Sequence, residues 1–500
     1  MPEALANQLP ALQIVLALIA APLAAIAGRR GGWFVAMAAS LITFAIAAAL
    51  LASVLDGTVI AYHMGGWAPP LGIEYRVDAL NAFVLVIISG VAALTLPYAR
   101  TSIAAEVAAE RHGLFYAAFL LCLAGLMGVA ITADAFNLFV FLEISSLSSY
   151  ALIAAGAERD RRALTAAYNY LVMGTIGATY FVIGLGFLYM LTGTLNMADL
   201  AQRLLDLGDN RTLRMGFAFI LIGLALKLAM FPLHLWLPNA YARAPSAVTV
   251  FISATATKVI VYALLRFLFA VFAFDFAFQG QVLRLVVLPL ALVGMVVAST
   301  VALFQHDLKR MLAYSSIAQI GYMLLGISIL SHGGLMASVI HLFNHAVAKA
   351  ALFMAAGSFF LRTGTTSLRD LAGIGRDMPW TTAAFVAGGL SIIGVPLTVG
   401  FVSKWYLVEA AIAEGWWPVV FLVVGTSLIA LGYIWRVVEI AYLREAPEGV
   451  MRKEAPLSML IPTWGFVGLS LYFGIDAELT SAAASRAANA LIGASNLFWQ

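Results

Sequence analysis

Apolar stretches about 20 residues long recur along nearly the whole chain, and they constrain its fold more than any other feature. An α-helix needs that length to cross the hydrocarbon core of a bilayer. Hydrophobic residues make up 63% of the sequence and charged residues 11%, whereas soluble domains carry about 25% charged residues. The composition excludes a soluble globular protein and predicts an all-α polytopic membrane protein.

About fourteen transmembrane spans can be placed on these stretches, and two of them are broken by proline or glycine. The spans lie near residues 11–27, 33–55, 79–99, 113–132, 134–156, 163–191, 212–243 (broken), 246–272, 283–304, 310–330, 334–361, 380–412 (broken), 417–443 and 456–474. We expect two inverted-topology repeats of five helices, each with one broken helix. The predicted units are 1–110 with three scaffold helices, 111–273 with helices 4–8, 274–444 with helices 9–13, and 445–500 with helix 14 and a short tail.

The basic residues between the spans predict the orientation of the chain. The odd-numbered loops hold sixteen lysines and arginines, and the even-numbered loops hold five, namely Arg76, Arg203, Arg211, Arg214 and Arg284. Positive charge favours the cytoplasmic side, so both termini are predicted to lie outside. Because no basic region precedes the first apolar run, a cleaved signal is not expected. The predicted location is the inner (cytoplasmic) membrane, with multiple passes.

Lysine is used selectively inside the membrane. Only six of the 28 basic residues are lysine, and four of them, Lys227, Lys258, Lys349 and Lys404, lie within apolar spans. Arginine stays protonated under biological conditions, whereas a buried lysine can release its proton. The pattern therefore favours proton transfer, although a fixed ion pair or a lysine that snorkels to the headgroups remains an alternative.

The seventh span carries a lysine directly before a break. Pro232 follows Lys227, so the helix is predicted to end just after the lysine. Broken backbone at membrane depth is tolerated only where it lines protein or water. Glu143 in the fifth span is the expected partner of Lys227, either in a static ion pair or in one that loads and releases a proton. His234, beyond the break, is a candidate relay residue or a packed histidine.

Two further spans add titratable groups to the same pattern. Lys258 is accompanied by hydroxyl side chains that can hold a water chain: Ser253, Thr255 and Thr257. In HLFNHAVAKA, the side chains of His341, His345 and Lys349 recur every four residues and share one helix face. Two histidines at that spacing could hold haem or a metal, but no third ligand is evident and the lysine would repel a cation. A polar relay stripe fits better.

The twelfth span repeats the broken-helix theme in reverse. Gly394, Pro396 and Gly400 interrupt it, and Lys404 follows the interruption. In the seventh span the lysine precedes the break. An inverted repeat would produce this reversal.

Other chemistry is excluded or unsupported by the sequence. The single cysteine, Cys122, excludes a thiolate-ligated iron–sulfur cluster or a disulfide framework within this chain. There is no Walker or dinucleotide-binding motif. We expect no bound cofactor, no metal and no nucleic-acid partner. The Gly/Pro-rich segment from His63 to Leu80 is predicted to be an external loop in which Asp78 caps the third helix.

In order along spans 3–13, these motifs resemble the antiporter-like subunit family. The matching elements are Glu143, Lys227 followed by LHLWLPNAYARAPS, Lys258, RMLAYSSIAQIGYM, the His341/His345/Lys349 stripe, and GVPLTVGFVSKW with Lys404. That family includes the D subunit of Mrp-type cation/proton antiporters and the proton-pumping membrane subunits of respiratory complex I and membrane-bound hydrogenases. The short C-terminus resembles the D-type subunit. In GVPLTVG many relatives have a second proline, which leaves the shape of this break open.

The resemblance implies a proton-translocating subunit of a multisubunit Na⁺/proton antiporter, or alternatively of a complex I-type oxidoreductase or a hydrogenase. Protons would enter by way of Lys227 with Glu143 as modulator, pass Lys258 and the central histidines, and leave by way of Lys404. The implied partners are other membrane subunits, protons, Na⁺ and the lipid bilayer. No redox or hydrolytic chemistry is expected in this chain.

Two other classes of function compete with this one. A scaffold subunit that conducts nothing would assemble and leave transport intact when Lys227 or Glu143 is replaced by alanine. A stand-alone solute symporter would concentrate its polar residues in one midplane pocket, whereas the charged residues here spread across two halves of the chain.

Overall fold

The computed structural model describes residues 7–272, 277–446 and 452–493 of the chain. The predicted boundary between the two repeats, at 273–274, and parts of the C-terminal unit lie outside these ranges. The helices are α1 (Leu9–Val54), α2 (Ala79–Glu106), α3 (His112–Ile131), α4 (Ala135–Ala154), α5 (Arg162–Thr192), α6 (Met197–Leu207), α7 (Arg211–Leu228), α8 (Trp236–Arg243), α9 (Ser246–Leu265), α10 (Ala277–Val282), α11 (Leu288–Leu303), α12 (Leu308–Ile329), α13 (His332–Thr363), α14 (Ile374–Asp377), α15 (Pro379–Ile393), α16 (Val399–Ala413), α17 (Trp417–Val438), α18 (Leu457–Ile475) and α19 (Glu478–Ile492).

Within the described ranges, eleven helical segments are long and apolar enough to cross a membrane. The longest, α1, has 46 residues and a non-helical Gly28 (φ 64°, ψ −150°) between the first two predicted spans. Short π-helical turns extend three other segments, at Arg266–Val271, Leu283–Val287 and Glu439–Leu443. The chain is a multi-pass membrane protein whose membrane-crossing segments are helices, as predicted. The count of fourteen crossings stays a prediction.

The first predicted break is confirmed. Helix α7 ends at Leu228, one residue after Lys227, and α8 begins at Trp236. Ala229 terminates α7 in the left-handed conformation (φ 59°) and donates its N–H back to the last helical turn. The segment between α7 and α8 is non-helical next to the lysine, and the carbonyl oxygen of Leu226 at the end of α7 accepts the indole N–H of Trp236 at 3.0 Å.

The second predicted break is also confirmed, with one change. Helix α15 ends at Ile393 with Gly394 in the left-handed conformation (φ 90°), and α16 begins at Val399. Gly400 lies inside α16 and not in the break. A Cβ atom at this position would clash with the carbonyl oxygen of Ser391. Gly400 thus permits the close approach of α16 to α15.

Side-chain caps define where many helices begin. Asp78 accepts hydrogen bonds from the first turn of α2 and forms a capping box with Asn81, as the sequence predicted for this aspartate. The segment before it contains a short antiparallel hairpin, β1 (Ile60–His63) and β2 (Glu74–Val77), where the sequence predicted only a loop. Similar caps begin α4, α6, α7, α12 and α13, at Asp134, Asn196, Asn210, Asp307 and Ser331.

The helices that carry the predicted relay residues form the centre of the bundle. In the most apolar window of α9, α12 and α13, 94% of the residues are buried, compared with 39% for α5, α17 and α18. Helix α13 packs against α9, α12 and α16, among others. The poorly buried helices present apolar residues outward, as lipid-facing helices do. Lys258, His341, His345 and Lys349 therefore lie in the protein interior.

Candidate functional site

Lys227 and Glu143 form the ion pair that the sequence predicted. The Lys227 ammonium donates to Glu143 Oε1 at 2.8 Å and to Ser146 Oγ at 2.9 Å. The lysine side chain is 3% exposed and the glutamate side chain 24%. A charge at this depth needs such a partner, because desolvation without one is costly. The ion pair therefore keeps the Lys227 ammonium inside the bundle, and its partner Glu143 is the more exposed of the two side chains.

A small cavity connects Lys227 with the helix that carries Lys258. The cavity has a volume of about 20 Å³, enough for one water molecule, and Lys227 and Thr257 both line it. Thr257 Oγ1 accepts a hydrogen bond from the Lys258 ammonium at 3.4 Å. A single water and one hydroxyl can thus join the two lysines.

The environment of Lys258 matches the predicted hydroxyl cluster only in part. Besides Thr257, its ammonium donates to the backbone carbonyl of Ser253, whose hydroxyl is directed elsewhere. The Thr255 hydroxyl donates to the carbonyl of Phe251, one turn earlier in α9. Of the three predicted hydroxyls, only that of Thr257 contacts the lysine.

The stripe on α13 occupies the centre of the protein. His341 and His345 are buried with nearly parallel rings, whose centroids lie 6.2 Å apart. His341 Nδ1 lies 2.9 Å from Ser403 Oγ of α16. Neither ring nitrogen of His345 has a hydrogen-bond partner among the described residues. Buried polar atoms are normally satisfied, so His345 is suited to bind water within a relay.

Lys349 completes the stripe. Its ammonium is fully buried and donates to the carbonyl oxygen of Leu312 in α12 at 2.8 Å. Helix α9, which carries Lys258, packs directly against α13. Helix packing therefore brings the lysine of α9 to the stripe of α13, as the relay hypothesis requires.

Lys404 lies in a cage of oxygen atoms at the second break. Its ammonium donates to the carbonyl oxygens of Ile392 and Ile393 at 2.8 and 2.9 Å and to Ser427 Oγ at 2.8 Å. The two carbonyls end α15, where the helix dipole is negative and favours a cation. The ammonium also lies 4.8 Å from the ring centroid of Tyr322.

Tyr322 links the second break to the central stripe. Its ring centroid lies 5.6 Å from that of His341, and its hydroxyl lies 2.6 Å from Thr426 Oγ1. Sequence reasoning missed Tyr322 and Ser427. Both sit in apolar spans without distinctive spacing, and only packing brings them to Lys404.

His234 stands apart from the other predicted residues. It lies in the first break and stacks on Phe231, with ring centroids 5.2 Å apart. Its other aromatic neighbour is Tyr314 of α12, at 6.3 Å. No contact among the described residues joins His234 to Lys227 or Lys258, so its relay role stays a prediction.

A buried ion pair was missed by the sequence analysis. Arg266, directly after α9, pairs with Asp78 at the start of α2, and each side chain is 7% exposed. Arg266 Nε also donates to the Tyr262 hydroxyl at 2.9 Å. The sequence did contain a signal for this pair, because Arg266 lies at the end of one apolar span and Asp78 at the start of another.

The described residues contain no group of three His, Cys, Asp or Glu side chains placed to hold a metal. The structure therefore supplies no third ligand to His341 and His345 in these ranges. His341 contacts a serine and a tyrosine, and Lys349 follows His345 by one helical turn. Such neighbours suit proton transfer better than metal binding.

The sequence of this chain is similar to those of known membrane-complex subunits. Residues 132–430 match the family model described as NADH:quinone oxidoreductase/Mrp antiporter, transmembrane. The N subunit of the NADH-quinone oxidoreductase of Desulforudis audaxviator is 42% identical over 455 residues, covering 90% of this chain and 89% of that protein. The D subunit of the Na(+)/H(+) antiporter of Alkalihalophilus pseudofirmus is 30% identical over 442 residues, covering 87% and 88%.

Solved structures agree with the sequence relatives. A chain of the Mrp complex from Dietzia sp. DQ12-45-1b superimposes with a TM-score of 0.89 at 27% identity, covering 98% of both chains. A chain of the membrane-bound sulfane sulfur reductase, an archaeal respiratory membrane complex, gives a TM-score of 0.88 at 32% identity and the same coverage. All eight predicted site residues lie within the matched range 132–430. The chain belongs to the NADH:quinone oxidoreductase/Mrp antiporter family of membrane subunits.

Proposed function

We propose that this chain is a proton-translocating membrane subunit of a multisubunit complex. One observation carries the proposal: buried titratable side chains run from one broken helix to the other. They extend from Glu143 and Lys227, by way of Thr257, to Lys258, then to the α13 stripe and, by way of Tyr322, to Lys404.

In this proposal, each lysine accepts a proton from one neighbour and releases it to the next. Water in the cavity beside Lys227 and the Thr257 hydroxyl carry the proton to Lys258. The His341 and His345 rings and the Lys349 ammonium form the middle of the relay, and Lys404 forms its far end. His234 serves as an accessory group at the first break. The whole chain acts without a cofactor or covalent chemistry of its own.

The proposed architecture comprises fourteen crossings and two inverted repeats, spans 4–8 and 9–13, in the cytoplasmic membrane with both termini outside. The reversed order of lysine and break supports it: Lys227 lies in the helix before its break and Lys404 in the helix after its break. The excess of basic residues in odd-numbered loops supports the orientation.

We propose a Mrp-type Na⁺/proton antiporter as the assembly, with other small membrane subunits as partners. Support comes from the 30% identity to the D subunit of an antiporter and from the superposition on the Dietzia Mrp chain. A redox-driven complex is the second candidate, favoured by the 42% identity to the N subunit of an oxidoreductase. Purification of the native assembly discriminates between them. Flavin or iron–sulfur subunits would indicate the redox complex, and exclusively membrane-embedded subunits the antiporter.

The relay is tested by proton transport in vesicles that contain the whole assembled complex. We expect Lys227→Ala and Lys227→Arg both to abolish transport, because neither side chain can accept and release a proton. Lys453→Ala, at an exposed loop lysine, is the matched control and should transport like the wild type. Activity retained in Lys227→Arg would show that fixed charge suffices and would refute the relay at this position. Activity retained in Lys227→Ala, with normal assembly, would support the scaffold alternative.

A further inference from the structure

A cavity of about 580 Å³ opens where the loops between helices converge, on the face that the charge distribution predicts to be cytoplasmic. Its walls come from the end of α2, the α4–α5 and α8–α9 connections, the start of α12 and the segment after α13. None of the eight predicted relay residues lines it. Its size lies in the range of small-molecule binding sites, about 300–1,000 Å³.

Two cations in this cavity form no salt bridge among the described residues. The Arg159 guanidinium lies 4.3 Å from the ring centroid of Phe360, and the Lys309 ammonium lies 5.2 Å from the same centroid. Lys309 is 2% exposed, and its ammonium donates to the carbonyl oxygen of Ala244 at 3.2 Å. The salt bridges at this cavity involve other cations, and Glu106 and Asp307, which also line the cavity, attract the Lys309 ammonium electrostatically. Two positive charges held against one aromatic ring repel each other.

The carboxylates that line the cavity are engaged elsewhere. Asp160 pairs with two other cations, Arg162 and Arg243, at 3.0 Å each. Glu106 Oε2 accepts the backbone N–H of Ser246 at 2.9 Å, which satisfies the first turn of α9. Asp307 caps α12 in the same way. The lining holds four cationic side chains, of Arg159, Arg162, Arg243 and Lys309, and three carboxylates, so it retains a formal excess of one positive charge.

We propose that this cavity is a binding site for a phosphate-class oxyanion, held between Arg159 and Lys309. The planar guanidinium can donate two parallel hydrogen bonds to such an anion, and the ammonium supplies a second charge. The volume exceeds that of inorganic phosphate, so a phosphate ester is the fitting ligand. Its phosphate comes either from a soluble ester or from the headgroup of an anionic phospholipid. This site is independent of the proposed proton relay.

The test measures equilibrium binding of radiolabelled pyrophosphate to the whole complex in phosphatidylcholine nanodiscs at constant ionic strength. We expect saturable binding that Arg159→Gln and Lys309→Gln each weaken by about tenfold or more, because each removes a charge-assisted contact. Lys309→Arg should bind within about threefold of the wild type. Arg29→Gln, at an exposed arginine outside the cavity lining, is the matched control and should bind normally.

A second variant guards against misfolding of the charge-deletion variants. Ser367→Asp adds a negative charge to the lining without removing either cation, and it too should weaken binding by about tenfold. Repetition in phosphatidylglycerol nanodiscs identifies the source. Loss of pyrophosphate binding there indicates a lipid headgroup, and unchanged binding indicates a soluble ester. Absence of saturable binding up to about 10 mM, or equal binding by wild type, Arg159→Gln and Ser367→Asp, would overturn the proposal.

Discussion

Neutralising Glu143 is the sharpest test of how the first lysine is held. Glu143→Gln keeps the length of the side chain and one acceptor oxygen near the Lys227 ammonium, and it removes only the charge. At 2.8 Å and an effective dielectric constant of about 20, the Coulomb attraction is about 6 kcal/mol. Two effects reduce the net loss to about 3 kcal/mol. The Glu143 side chain is 24% exposed to solvent, and the new amide still accepts a hydrogen bond from the ammonium.

Glu143→Asp is the matched variant because it keeps the negative charge but moves the carboxylate away from the Lys227 ammonium. A side chain shorter by one methylene places the carboxylate about 4 Å from the ammonium, where the attraction is about 4 kcal/mol. With the same reduction for solvent, the net loss is about 1 kcal/mol. The Lys227 ammonium is either bound to the side chain of residue 143 or displaced from it. These losses shift the equilibrium between the two states by about 100-fold in Glu143→Gln and about fivefold in Glu143→Asp.

Proton transport by the reconstituted complex, at matched expression, is the assay. If the ammonium must return to its carboxylate in every cycle, transport falls by up to these factors, much more in Glu143→Gln than in Glu143→Asp. Wild-type rates in Glu143→Gln would show that the ion pair is static and outside the transport cycle. Equal losses in both variants would show that position, and not charge, is what matters at residue 143.

Three further predictions follow from the same geometry. Thr257→Val removes the hydroxyl between the first cavity and Lys258 and should slow proton transport by about tenfold, whereas Thr255→Val, in the same helix, should transport normally. Asp78→Asn preserves a helix cap but removes the negative charge that pairs with buried Arg266, so thermal unfolding should show a loss of about 3 kcal/mol. The hydrogen bond from Arg162 holds the pKa of Asp160 below its usual 3.8. Asp160 therefore stabilises the fold above pH 4, and this contribution should disappear in acid unfolding curves as the pH falls below 4.

Local sequence rules predicted the features that depend on neighbouring residues. The end of α7 after Lys227 follows from a nearby proline, and the α13 stripe follows from a four-residue spacing. The pairing of Glu143 with Lys227 was also predictable, because few groups inside the membrane could balance either charge. In each case one physical requirement left few alternatives.

The remaining features depend on packing between distant parts of the chain. The Ile392 and Ile393 carbonyls and the Ser427 hydroxyl around Lys404 have no sequence signature, because backbone carbonyls occur at every position. Asp78 and Arg266 are 188 residues apart, and only the contact between α2 and α9 joins them. The loops that form the large basic cavity are likewise separated along the chain.

The two ends of the relay differ in a way that bears on control of transport. Lys227 is held by a charged side chain, Glu143, which is partly exposed. Lys404 is held by two backbone carbonyls at a helix end, which are fixed by the fold, and by the uncharged hydroxyl of Ser427. A charge on a neighbouring subunit can therefore weaken or strengthen the Lys227–Glu143 ion pair by attracting or repelling the Glu143 carboxylate. Among the described residues, Lys404 has no charged partner on which such a charge could act. Regulation by an adjacent subunit is accordingly expected at the Glu143 end, and removal of charge there should alter transport more than any surface substitution near Lys404.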